Sequence, residues 1–74
     1  MRKAREAMKR RRAELGLSQE MAATTANVSV ETWARWERGS AMPHNRQRHA
    51  IARALQVPLA EVDRLLRSGG SQQA

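Results

Sequence analysis

The stretch that decides the fold is Ser18–Gly39, SQEMAATTANVSVETWARWERG. Ser18 suits the amino end of a helix, because its side-chain oxygen can accept a first-turn backbone N–H. That helix runs to about Ala26, with Met21, Ala22 and Ala26 able to face inward. Asn27 follows. Asn tolerates left-handed backbone better than any residue but Gly, so a sharp turn is expected there, with Val28 buried in it. Ser29 is a second N-cap and starts a helix through Arg38, which Gly39 ends. Trp33 and Trp36 share one face of this helix and define its buried side. Glu31, Arg35 and Arg38 lie opposite, with Val30 and Ala34 at the margin. Ala23 stands where the two helix axes would cross, and its small side chain allows close approach. Glu37 falls near the buried edge and needs a partner, because an unpaired buried charge is costly.

Outward from this stretch the chain continues in helices. Residues 2–15 are rich in good helix formers. Ala4, Met8 and Leu15 share a face there, with Ala7 at its edge, and Arg11 intrudes on it. Gly16 supplies the stop, and Leu17 is a core candidate in the link. Gly39 to Pro43 reads as a loop. A fourth helix spans about residues 45–56, with Ile51, Ala52 and Leu55 inward and a polar start at Asn45, Arg48 and His49. Pro58 opens a fifth helix to about residue 67, with Leu59, Val62, Leu65 and Leu66 as its apolar stripe. Strand signals are absent: there is no Tyr or Phe, one Ile and four Val, and no sustained alternation. The expectation is an all-α, compact five-helix bundle forming one domain over residues 1–67, with a flexible tail over 68–74.

Composition narrows the function. Of the 14 basic residues, seven fall in the first twelve positions, and the formal net charge is +7. A basic surface points to nucleic acid or an anionic membrane. There is no cysteine, so neither a disulfide framework nor a thiolate metal site is available. The two histidines lack nearby carboxylates, which argues against zinc, and no cofactor is implied. No apolar run approaches the roughly 20 residues that span a bilayer, and the first 20 residues lack the apolar stretch of a signal peptide. A cytoplasmic, nucleoid-associated location is the expectation. No nucleophile–base pair, metal cluster or phosphate loop is visible, so the chain does not read as an enzyme.

Two short helices joined by a tight turn, here over about residues 18–39, are a helix-turn-helix. The set Arg12, Leu17-Ser18-Gln19, Ala23, Asn27-Val28-Ser29, Glu37-Arg38-Gly39 and Pro43 with Leu55 resembles the lambda repressor/Cro-like (XRE) family of DNA-binding domains. The resemblance covers about residues 4–67. Ala22 stands where the family usually has a large aliphatic, Asn27 where it has glycine, and Pro58 where it has a polar cap. The resemblance implies a five-helix domain that binds duplex DNA, usually as a homodimer, with the third helix in the major groove. It also implies an ion pair between Arg12 and Glu37, which agrees with the flanking position of Arg12 and the need of Glu37 for a partner.

Candidate contacts follow from these placements. Ser29, Val30, Glu31, Ala34 and Arg35 are the base-facing candidates, because amino-terminal side chains of a recognition helix reach base edges. Arg35 suits guanine O6/N7, Glu31 cytosine N4, and Val30 a thymine methyl. The competing reading is a solvated Glu31–Arg35 pair one turn apart. Ser18 and Gln19, at a helix amino end, together with Arg12, Thr32, Arg38, Ser40 and Arg46, are the phosphate candidates. The tryptophans read as core and not as base-stacking platforms, and His44 and His49 as ordinary surface or half-buried residues. Arg2, Arg5, Lys9 and Arg12 share one sector of the first helix and could track a DNA backbone; the alternative is a solubilising face. The reading is therefore a sequence-specific transcriptional regulator, a repressor on a palindromic operator. It would dimerise through the fifth helix (Leu59, Val62, Leu65, Leu66), unless the small core needs those residues. The alternatives are an antitoxin-like protein-interaction module of the same fold, or the DNA-binding fragment of a longer regulator.

Overall fold

The computed structural model describes residues 5–67. The expected tail and the expected helical residues before Arg5 lie outside them. The described residues form five helices in order: α1 Glu6–Glu14, α2 Gln19–Ala26, α3 Val30–Arg38, α4 Asn45–Leu55 and α5 Leu59–Arg67. No strand occurs among the described residues. α2 packs on α3 and α4, α4 on α5, and α1 closes the bundle against α5 and α3.

Four helix ends are built alike. At Gly16, Asn27, Gly39 and Gln56 the chain turns left-handed, and the next N–H reaches back to a carbonyl in the last helical turn: Leu17 to Arg12, Val28 to Ala23, Ser40 to Arg35 and Val57 to Ala52. This is the Schellman arrangement, which satisfies carbonyls the helix would otherwise leave orphaned. Gly16 needs its glycine for backbone reasons alone: φ is +72°, and a Cβ there would meet nothing within 4 Å. Gln56, at φ 54°, is the unmarked stop that ends α4 one residue short of the expected boundary.

The core gathers Met8, the alanines of α2, both tryptophans, Ala50, Ile51, Ala54 and Leu55 of α4, and Val62, Leu65 and Leu66 of α5. Trp33 and Trp36 are fully buried and meet edge to face, with ring centroids 5.7 Å apart. Truncating either to Ala would cost about 3–5 kcal/mol. Several expectations are corrected. Met21 and Leu59 are 52% and 41% exposed, because their neighbours fill the small core without them. Leu17, Val28 and Ala52 are half-buried at its margin.

α1 is held by more than its apolar face, on which only Met8 is fully covered. Arg5 is buried. It donates from Nη1 to the carbonyls of Trp36 (2.8 Å) and Ala41 (2.7 Å), and from Nε to that of Leu66 (3.1 Å). Arg11 donates from Nε to Leu55 O (2.9 Å) and from Nη2 to Gln56 O (3.2 Å). These two guanidiniums therefore sit at the carboxyl ends of α3, α5 and α4, where the helix dipole favours a cation. This is why Arg11 interrupts the apolar face, and it removes Arg5 from the expected DNA-tracking sector.

Candidate nucleic-acid interface

The two serine caps set the geometry of the α2–turn–α3 unit. Ser18 Oγ accepts from Met21 N (3.1 Å), and Ser29 Oγ accepts from Thr32 N (3.1 Å). Ser29 Oγ also donates to Thr32 Oγ1 at 3.0 Å, so the two side chains engage each other at the start of α3. Between the caps, Asn27 takes φ 61° and ψ 43°, and the turn is complete in three residues. With both tryptophans inward, Ser29, Val30, Glu31, Arg35 and Arg38 stand exposed on the outer side of the unit, while Thr32 and Ala34 are half-buried.

Beneath this surface lies one carboxylate. Glu37 is 2% exposed and accepts four hydrogen bonds. Arg12 gives two, Nε to Oε2 at 2.6 Å and Nη2 to Oε1 at 3.1 Å. Gln19 Nε2 gives a third at 2.9 Å, and Trp33 Nε1 a fourth at 2.6 Å. Arg12 further donates from Nη1 to Leu17 O at 2.9 Å. Burial pushes the Glu37 carboxyl up. The bonds from Arg12, Gln19 and Trp33, with the charge of Arg12, outweigh that and hold it below the usual carboxylate value. This cluster ties α1, the first turn of α2 and the last turn of α3 together, so it sets the angle at which α3 is presented. It also engages two of the phosphate candidates, Arg12 and Gln19, on the inside. Gln19 keeps its carbonyl and a second N–H for an outside partner, whereas Arg12 has each of its three nitrogens bonded to the protein.

The loop after α3 is equally constrained. Ser40 donates to Arg35 O from both N (3.0 Å) and Oγ (3.3 Å). Arg5 grips Ala41 O from below, and Arg5 Nη2 lies 3.9 Å from Met42 Sδ. α4 then opens with a reciprocal cap: His44 Nδ1 accepts from Gln47 N (3.3 Å), and Gln47 Oε1 accepts from His44 N (3.0 Å). His44 is thus the α4 N-cap, a role that its three-residue spacing from Gln47 could have signalled. Arg5 and Arg11 were the other structural residues missed, and only the misplaced charge of Arg11 hinted at them. Arg46, in the first turn of α4, is exposed.

The charges sort by location. Lys9, Arg11, Arg12, Arg48 and Arg64 each lie within ion-pair distance of a carboxylate. Arg35 and Arg38 of α3, Arg46 and Arg53 of α4, Arg10 of α1 and Arg67 of α5 are exposed and form no ion pair among the described residues. The fifth helix offers less for self-association than its sequence suggested: Val62, Leu65 and Leu66 are buried within the one chain, because the small bundle needs them as core, and only Leu59 of that set is exposed.

A family model described as a helix-turn-helix domain matches residues 5–65. Among solved structures, the chain is similar to the clp gene regulator ClgR from C. glutamicum, with a TM-score of 0.76 and 22% identity over 93% of this chain and 90% of that one. Comparison with curated proteins returned no match. Among the described residues, no helix is long and apolar enough to cross a membrane.

Proposed function

We propose that this chain, which belongs to the lambda repressor/Cro-like family of helix-turn-helix domains, is a sequence-specific duplex-DNA-binding transcriptional regulator. The observation that carries the reading is the division of α3: tryptophans locked inward, and an exposed face of Val30, Glu31, Arg35 and Arg38 at the rim of a tight turn. α3 enters the major groove, where Arg35 takes a guanine edge and Glu31 a cytosine amine. Ser29, Val30 and Ala34 complete the base-facing set. Ser18, Gln19, Thr32, Arg38, Ser40 and Arg46 meet phosphates, which position the domain without reading sequence. Gln19 does so while still bonded to Glu37. Arg12 acts through that carboxylate, with at most a peripheral phosphate contact.

One nine-residue helix reads few base pairs, so the operator is a palindrome bound by a homodimer, with half-sites about one helical turn apart. Occupancy of such a site represses by excluding other proteins. Regulatory control of genes by the structurally similar ClgR supports the same kind of role here. The protein is then a binder and not a catalyst, working in the cytoplasm at the nucleoid.

Selection of bound sequences from a random duplex pool tests this. An enriched inverted repeat is expected, and Arg35→Ala should relax preference at one base position at a cost of about 1–3 kcal/mol. A pool with no enriched motif would overturn the reading, and an enriched single half-site would overturn the dimer.

A further inference from the structure

A second basic feature lies beside the recognition helix. α4 carries Arg46, His49 and Arg53 at spacings of three and four, so they form one exposed stripe about 10 Å long. The stripe forms one wall of a groove of about 360 Å³, whose other wall is Asn27 and Val28, the turn immediately before the α3 N-cap. His44, the α4 N-cap, closes one end. The amino end of α4 and the carboxyl end of α2 flank the groove, two arginines without an ion-pair partner line it, and no carboxylate does. Elsewhere on α4 the chain does neutralise its charge: Arg48, on another side of the helix, lies 3.3 Å from Asp63. The cations of this groove are thus left for something outside the chain.

We infer that the groove holds the sugar-phosphate backbone of the DNA strand that flanks the bases read by α3, so that the footprint of each domain extends past its half-site. The inference rests on the DNA-binding reading above. Three features fit it. The groove begins at the turn that delivers α3, so a strand bounding the major groove passes directly onto it. Its charge is of one sign, as a polyanion requires and a mixed-charge protein surface does not. Its length matches the axial run of about three phosphates on one strand. Arg53 is the distal anchor, two turns beyond Arg46, and neither pairs with a carboxylate that DNA would have to displace.

The test uses the full chain and the duplex selected by wild type, made in two lengths: one ending at the outer base of each half-site and one extended by flanking pairs. Affinities are measured across a salt titration for wild type, Arg53→Ala, and Arg10→Ala as a control of equal charge change on α1. On the long duplex, Arg53→Ala should reduce the log–log salt slope by about 0.9, equivalent to about eightfold weaker binding at 0.1 M salt. The selected sequence should stay the same, Arg10→Ala should leave the slope at the wild-type value, and on the short duplex the Arg53→Ala deficit should vanish. Equal slopes for wild type and Arg53→Ala on the long duplex would overturn the groove while leaving the DNA reading intact. A deficit of the same size on the short duplex, or one reproduced by Arg10→Ala, would overturn it too, since the effect would then be general charge. Wild type that binds no duplex would overturn the underlying reading and this inference with it.

Discussion

Removing Arg12 is the most informative single perturbation of this fold. In Arg12→Ala, Glu37 stays 2% exposed but keeps only Gln19 and Trp33 as donors, both neutral. Breaking one side of a buried ion pair typically costs about 3–5 kcal/mol. Two facts place the loss at the lower end: the Arg12 side chain is 17% exposed, and two of the four bonds to the carboxylate survive. About 3 kcal/mol is expected, which for a domain of this size lowers Tm by about 12–24 °C at 4–8 °C per kcal/mol. Thermal unfolding by far-UV circular dichroism measures it, and fluorescence of Trp33 reports on the same carboxylate. The cycle with Glu37→Gln separates the pair from general disruption: the two losses should be non-additive by at least about 1.5 kcal/mol, within the range of directly bonded neighbours. An Arg12→Ala variant melting within about 2 °C of wild type, or a coupling below about 0.5 kcal/mol, would refute the claim that this ion pair holds α1 to α3.

Three further outcomes are expected. Because the Glu37 carboxyl is held below its usual value in the fold, its contribution is complete above the unfolded value of about 4.3 and is lost as pH falls through the lower folded value. Wild type should therefore lose its stability advantage over Glu37→Gln progressively below about pH 4, as read by urea unfolding at a series of pH values. Arg5→Met should cost at least about 2 kcal/mol, the worth of one buried bond to a charged group. Arg5→Lys should recover only part of it, since a point donor cannot reach three carbonyls at once. Gln56→Gly should raise stability by about 1 kcal/mol, visible as a higher Tm, because a side chain at φ 54° carries a left-handed cost that glycine does not.

What was legible in the sequence was local. Ser18, Asn27, Ser29 and Gly39 act on the four or five residues beside them, and each stands in the structure as a cap or a left-handed stop. The tryptophans were legible because helical spacing alone put them opposite the charged side of α3. Gln56 was not, since nothing in a glutamine announces left-handed backbone. Arg5 and Arg11 were not, because the carbonyls they bond lie 31 to 61 residues away, where no local pattern reaches. The outward turn of Met21 and Leu59 had a similar cause: periodicity identifies a face, but how much of it the neighbours cover is a property of the whole bundle. Glu37 falls between these cases. Its need for a partner follows from its position on α3, yet its bonds to Gln19 and Trp33 emerge only once three helices are in place.

The fold gives the amino-terminal charge a different role. Read as composition, a run of seven cations in twelve residues is a nucleic-acid tail. In the fold, Arg5 and Arg11 occupy the carboxyl ends of three other helices, Arg12 neutralises a buried carboxylate, and Lys9 sits 3.9 Å from Glu6. A helix with little apolar surface thereby joins the bundle through its guanidiniums, each of which reaches past its own turn to bond carbonyls of other segments. Arginines serving in that way contribute little to salt-dependent binding, because counterion release requires a cation that meets phosphate. Among the described residues the exposed arginines outside any ion pair are Arg35 and Arg38 of α3, Arg46 and Arg53 of the α4 stripe, Arg10 and Arg67; all but Arg10 lie in residues 13–74, where seven basic and six acidic residues nearly balance. The non-specific affinity of this protein should therefore fall when Arg35, Arg38, Arg46 or Arg53 is replaced, whereas replacing Arg5, Arg11 or Arg12 should cost mainly stability.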